Sequence, residues 1–233
     1  MDERTGTSPG RGAAALELLL VLGVLEAVRV AWRWYGLGHG GGAVATVAAI
    51  VIATALLWRR RSGWSALGLR RPARVGHAAT LAAGLLVVGL VVVPALAALL
   101  MAPLGLAGIE GQVFAHMRAN AGSYLFMLLP LGWGSAAFGE EMLYRGFLAT
   151  RIEIMFGGGR AAIVAAALLQ AILFGAVHAF LGGAGMIKAG LLGLAWSAAY
   201  YRFGRNLWPL IIAHGLVDTV GLTALYFGVA HAA

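Results

Sequence analysis

Long, uninterrupted apolar runs constrain this chain more than any other feature. They lie at 13–32, 43–58, 77–101, 122–139, 161–180, 186–203 and 207–229. About 20 apolar residues cross a bilayer core as a helix. Inside lipid every backbone polar group must be bonded within the protein, which leaves only helices and closed barrels. Barrel strands alternate apolar and polar residues, and these runs do not. The expected fold class is therefore all-α: a polytopic membrane helix bundle of about seven spans. The alternative is eight, because Gly215, Asp218 and Gly221 interrupt the last run, and 43–58 is short.

Composition agrees. Of 233 residues, 61% are hydrophobic and 11% charged, against about 25% charged in soluble domains. Residues 1–12 read as a disordered cytoplasmic tail, and 13–233 as a single membrane domain. No cleaved leader is expected, because the first run carries Glu17, Glu26 and Arg29. Glu26 and Arg29 are three apart and read as an ion pair at the membrane interface. With no cysteine in the chain, disulfides, thiolate metal sites and a Cys nucleophile are excluded.

The net charge of +8 fits inner loops beside lipid headgroups rather than nucleic acid, since no basic stripe alternates with aromatics. Arg59, Arg60, Arg61, Arg70, Arg71 and Arg74 mark one loop as cytoplasmic. A cytoplasmic N-terminus then also places Arg145, Arg151, Arg160, Arg202 and Arg205 inside, and leaves Arg118 and Lys188 outside. The expected location is a cell membrane, the bacterial inner membrane by the Gly- and Ala-rich composition. No internal repeat supports an inverted-repeat transporter.

Three polar motifs interrupt the apolar background: Glu140-Glu141-Met-Leu-Tyr-Arg145, Phe174-Gly-Ala-Val-His178 and His214-Gly-Leu-Val-Asp218. A charge at the centre of a membrane helix costs roughly 2.5–3.5 kcal/mol on insertion scales, so such residues usually have a use. Glu141 and Arg145 are four apart and meet on one helix face. Glu140 points about 100° away from Glu141, without a local cation. A carboxylate withdrawn from water is a usable general base. Taken singly, each motif also has a plain reading: an ion pair at headgroup level, a packing histidine, a polar helix face. His214 and Asp218 share a face, where they can orient an imidazole, hold a metal or serve a developing oxyanion.

Together and in this order, the motifs resemble the CPBP family of intramembrane proteases, which includes the Ras-converting CAAX endopeptidase and bacterial bacteriocin-processing and immunity proteins. That family's pattern is EExxxR, FxxxH, then HxxxN or HxxxD. Arg145-Gly-Phe and Leu207-Trp-Pro look like its bacterial branch. The resemblance covers about 122–225. It implies an intramembrane glutamic-type endopeptidase acting on a peptide or membrane-protein substrate. In that scheme Glu140 activates water with His178, His214 and Asp218 serve the oxyanion, and Glu141, Arg145 and Phe174 support them. Asp218 departs from the Asn of the CAAX endopeptidases, and an ionised Asp cannot donate a hydrogen bond. The resemblance implies no cofactor. The alternatives are a zinc protease using Glu140, His178 and His214 as ligands, and a membrane scaffold or immunity protein that binds without cleaving.

Overall fold

A computed structural model describes residues 7–38 and 40–229. Seven long helices form the bundle. They are α1 Arg11–Trp34, α2 Gly41–Arg59, α3 Val75–Leu104, α4 over 121–155, α5 Gly159–Val177, α6 Ala179–Arg202 and α7 Trp208–Tyr226. Among the described residues there is no strand. Each of the seven expected apolar runs is helical. Five helices, α2, α3, α5, α6 and α7, are long and apolar enough to cross a membrane by length and composition. Helices α1 and α4 carry most of the charged residues that lie within the seven helices. The last run is one unbroken helix, Trp208–Tyr226, despite Gly215 and Gly221.

The N-terminal segment departs from the expected tail, of which residues 1–6 lie outside the described residues. Arg11 and Gly12 already belong to α1, Pro9 is buried, and the Thr7 amide donates to the Arg60 carbonyl at 3.2 Å. The basic 59–74 stretch is likewise a docked loop. Leu67 O accepts from the Tyr200 hydroxyl at 2.9 Å, and Arg70 O accepts from Asn206 Nδ2 at 2.9 Å. Gly68 sits there at φ +101, and a Cβ on it would collide with the Arg205 carbonyl. Only glycine adopts that backbone without strain.

Helix α4 positions the site. It is α-helical over Ala121–Phe126, winds as a wide i→i+5 helix over Met127–Leu148, and closes as an α-helix over Ala149–Met155. Pro130 lies inside the wide stretch and lacks the N–H that a regular ladder needs. Such winding is ordinarily confined to single turns, often beside functional residues. Small residues bring neighbours close to α4. A Cβ on Gly139 would lie 3.1 Å from Thr46 of α2, and one on Gly215 of α7 would lie 2.5 Å from the Trp133 ring. Helices α5 and α6 pack through Gly175 and Gly193 in the same way, the close approach that small residues permit in membranes. Gln170 joins that pair, donating to Gly193 O at 3.0 Å and to Ser197.

One end of the bundle collects charge. Glu17 of α1 accepts from Arg60 at 2.6 Å and from Arg151 at 2.7 Å, tying α1, α2 and α4 together. Arg205 pairs with Glu153 at 2.9 Å, and Arg11 Nε donates to Met155 O at 3.0 Å. The outer surface is apolar, with Leu16, Leu19 and Val51 exposed, as expected of helices that face lipid.

Candidate active site

The second carboxylate of the first motif is the hub. Glu141 is fully buried, and its Oε1 accepts from Arg145 Nη1 at 2.9 Å, one helical turn away. The same oxygen meets Nδ1 of His214, from α7, at 2.8 Å. A carboxylate oxygen only accepts, so Nδ1 carries the proton. The imidazole is held in one orientation with Nε2 turned away from Glu141. Asp218 Oδ2 lies 3.7 Å from that Nε2, at ion-pair rather than hydrogen-bond distance. Sequence spacing pairs Glu141 only with Arg145. Its second partner lies 73 residues away on another helix, and no local pattern reports it.

Glu140 points elsewhere, as the helical offset requires. Its Oε2 is buried and has no hydrogen-bond partner within the protein. It lies within electrostatic range of His214, Asp218, Arg145 and Glu141. A buried carboxylate oxygen without a partner is costly, and such groups mark places where chemistry or a bound polar group is served.

His178 follows the last residue of α5. Its Nδ1 lies 2.7 Å from the Phe174 carbonyl. A carbonyl only accepts, so Nδ1 is protonated and Nε2 keeps a lone pair. Phe174 is the shared wall. Its ring centre lies 4.7 Å from His178, 6.3 Å from His214 and 5.0 Å from Tyr144, and the Arg145 guanidinium sits 4.4 Å above it. The phenylalanine of the second motif therefore separates the two histidines while packing both, and its face takes the Arg145 charge in a cation–π contact.

The structure thus gathers Glu140, Glu141, Arg145, His214 and Asp218 around one buried node, and His178 approaches it across Phe174. Depth along the helices corrects one expectation. The charge pattern places all three motifs toward the ends flanked by arginine. His178 instead stands at the end of α5 opposite Arg160, because α5 runs its whole length, Gly159–Val177, between them. Two residues to which the motif pattern assigns no role also reach the site. Tyr144 packs edge-on against Phe174. Arg29 of α1 donates from Nη2 to the Val177 carbonyl at 2.7 Å, beside His178. The expected Glu26–Arg29 pair forms at 3.3 Å, but its arginine faces inward to α5 rather than serving only the membrane interface.

Among the described residues no three His, Asp or Glu side chains are gathered as a metal-holding group. His214 Nδ1 is also committed to Glu141.

Residues 121–220 match the family model described as Type II CAAX prenyl endopeptidase Rce1-like. No curated protein and no solved structure matches the chain. The matched segment contains all three motifs and lies close to the 122–225 expected from them. Residues 121–220, set in an all-helical bundle with apolar helices long enough to cross a membrane, are thus similar to the Rce1-like type II CAAX prenyl endopeptidases.

Proposed function

We propose that the chain is an intramembrane endopeptidase of the CPBP type, with Glu140 as general base. The observation that carries this reading is the division of labour between adjacent carboxylates. Each keeps one buried oxygen, Oε2, without a partner, but Glu141 commits its Oε1 to Arg145 and His214, while Glu140 forms no ion pair or hydrogen bond with either. In this scheme a water molecule gives one hydrogen bond to Glu140 and the other to Nε2 of His178. Glu140 takes the proton, and the hydroxide attacks the peptide carbonyl carbon. His214, as an imidazolium, gives its Nδ1 proton to Glu141 in a hydrogen bond and donates from Nε2 to the developing oxyanion. Collapse of the tetrahedral intermediate breaks the C–N bond, and the proton held by Glu140 passes to the leaving amine. One water is consumed and one acid and one amine are formed.

The residues of the reaction then come from three helices: α4 supplies the base and the hub, α5 supplies His178, and α7 supplies His214 and Asp218. The substrate is a peptide or a membrane protein entering from the bilayer. The basic end of the bundle is the cytoplasmic one by the distribution of arginine, in a bacterial inner membrane.

Cleavage of a quenched peptide by the purified protein tests the reading. Glu140→Gln keeps the side chain's shape and removes its basicity, so turnover should disappear while the fold and peptide binding remain. Exhaustive chelation should leave the native enzyme's rate unchanged. Undiminished cleavage by Glu140→Gln would overturn the general-base role. Loss of activity on chelation, restored by zinc, would replace it with metal chemistry. A biological effect that persists in Glu140→Gln would favour a scaffold.

A further inference from the structure

A groove of about 340 Å³ lies between the start of α1 and the end of α2, away from the candidate active site. Its wall is apolar, made by Leu16, Leu20 and Leu56, and its polar end holds Glu17, Arg59 and Arg60. Glu17 is already neutralised by Arg60 and Arg151. Arg59 is exposed and has no acidic partner among the described residues. Among the described residues the groove's polar end therefore carries one more positive than negative charge. Trp58, 81% exposed beside Arg59, has the character of a headgroup-level anchor. From Ala13 to Leu20 the wall extends about 10 Å along α1, room for part of an acyl chain below a phosphate.

We propose that this groove binds an anionic phospholipid, its phosphate against Arg59 and Arg60 and one chain along Leu16, Leu20 and Leu56. Basic pockets between helices at the inner membrane face select such headgroups by charge, and the apolar wall distinguishes a lipid from a free anion. Native mass spectrometry of the full chain in detergent tests this, with titration by phosphatidylglycerol, phosphatidylcholine or inorganic phosphate. Phosphatidylglycerol should bind in preference to phosphatidylcholine. Arg59→Gln, at an exposed position, should weaken it about five-fold. Leu20→Gln should weaken it too, and inorganic phosphate should compete poorly. Equal binding of the two lipids, or Arg59→Gln binding like the native chain, would overturn the proposal. Full displacement by inorganic phosphate with no effect of Leu20→Gln would reduce the groove to an anion site and also overturn it.

A separate observation concerns α1, which lies outside the matched 121–220 segment. Arg29 donates to the carbonyl of Val177, the residue before His178, and Glu26 holds the guanidinium from 3.3 Å. The imidazole donates to Phe174 O one turn earlier. The last turn of α5 thus has two of its open carbonyls filled, one by Arg29 and one by His178 itself, and a cation at a helix C-terminus is favourable. We infer that Arg29 is a positioning residue that fixes the peptide carrying His178. This rests on the endopeptidase reading. Arg29→Gln should lower kcat, by up to about a hundred-fold if the imidazole moves by an ångström, with KM little changed, and Arg29→Lys should restore part of it. Wild-type kcat per folded molecule in Arg29→Gln, with Glu140→Gln inactive in the same assay, would overturn the positioning role alone. Activity in Glu140→Gln would instead fault the reading beneath it.

Discussion

At the scale of single residues, the site is organised by what each polar atom can accept or donate. Asp218 is the departure from the Asn of the CAAX endopeptidases, and its oxygen stands 3.7 Å from His214 Nε2. An Asn there offers an N–H where Asp offers only acceptors. Asp218→Asn should therefore preserve or raise turnover, while Asp218→Ala should lower it. A peptide assay in which Asn behaves like Ala would show that the carboxylate itself is required. Arg145 is a different case. Its side chain is enclosed, paired with Glu141 and stacked over Phe174. Arg145→Ala leaves Glu141 as an uncompensated buried charge, a loss of about 3–5 kcal/mol. Thermal unfolding in detergent should show a markedly lower midpoint and folded yield. Unchanged stability with no activity would point to direct participation in catalysis. The Glu141–Arg145 pairing is legible in the sequence because helix geometry fixes neighbours four apart. The Glu141–His214 bond is not, because only the packing of α7 against α4 creates it.

At the scale of elements, small residues set how closely the helices that carry the candidate site approach. Gly215 follows His214 immediately, and the Trp133 ring occupies the space a Cβ would need, at 2.5 Å. Trp133 is locked in place by donating to Thr219 at 3.1 Å. Gly215→Ala must push α4 and α7 apart at the turn that carries His214, and overpacking of this kind costs about 1–3 kcal/mol. The expected result is a modest fall in stability with a much larger fall in kcat, because His214 withdraws from Glu141. Gly221→Ala, where no atom lies within 4 Å of the added carbon, should behave like the native protein. Equal effects at the two glycines would show that helix propensity rather than packing is responsible. The length of the apolar runs located all seven long helices. It did not reveal the wide winding of Met127–Leu148, which hydrophobic patterning does not encode. Nor did it show that the glycines of the last run are contact points rather than breaks, since a sequence does not say what lies opposite.

At the scale of the whole molecule, charge is sorted between the two ends. Arg11, Arg60, Arg70, Arg151 and Arg205 all engage partners at one end, whereas Lys188 and Glu110 pair at the other. Arginine-rich ends face the cytoplasm because positively charged loops are retained there during insertion. The chain contains no cysteine, so single cysteines can report topology without a background. Ala73 and Gln112 are both exposed, the first in the basic loop and the second in the segment between α3 and α4. In intact cells a membrane-impermeant thiol reagent should label Gln112→Cys and spare Ala73→Cys, and inverted vesicles should reverse the pattern. The opposite labelling would turn the bundle over, moving the Glu17–Arg60–Arg151 network and the α1–α2 groove to the outer face. The orientation matters for mechanism. His178 stands at the end of α5 remote from Arg160, while His214 lies in the second turn of α7, near the basic end. The candidate site therefore spans depth along the helices rather than lying at one end of the bundle.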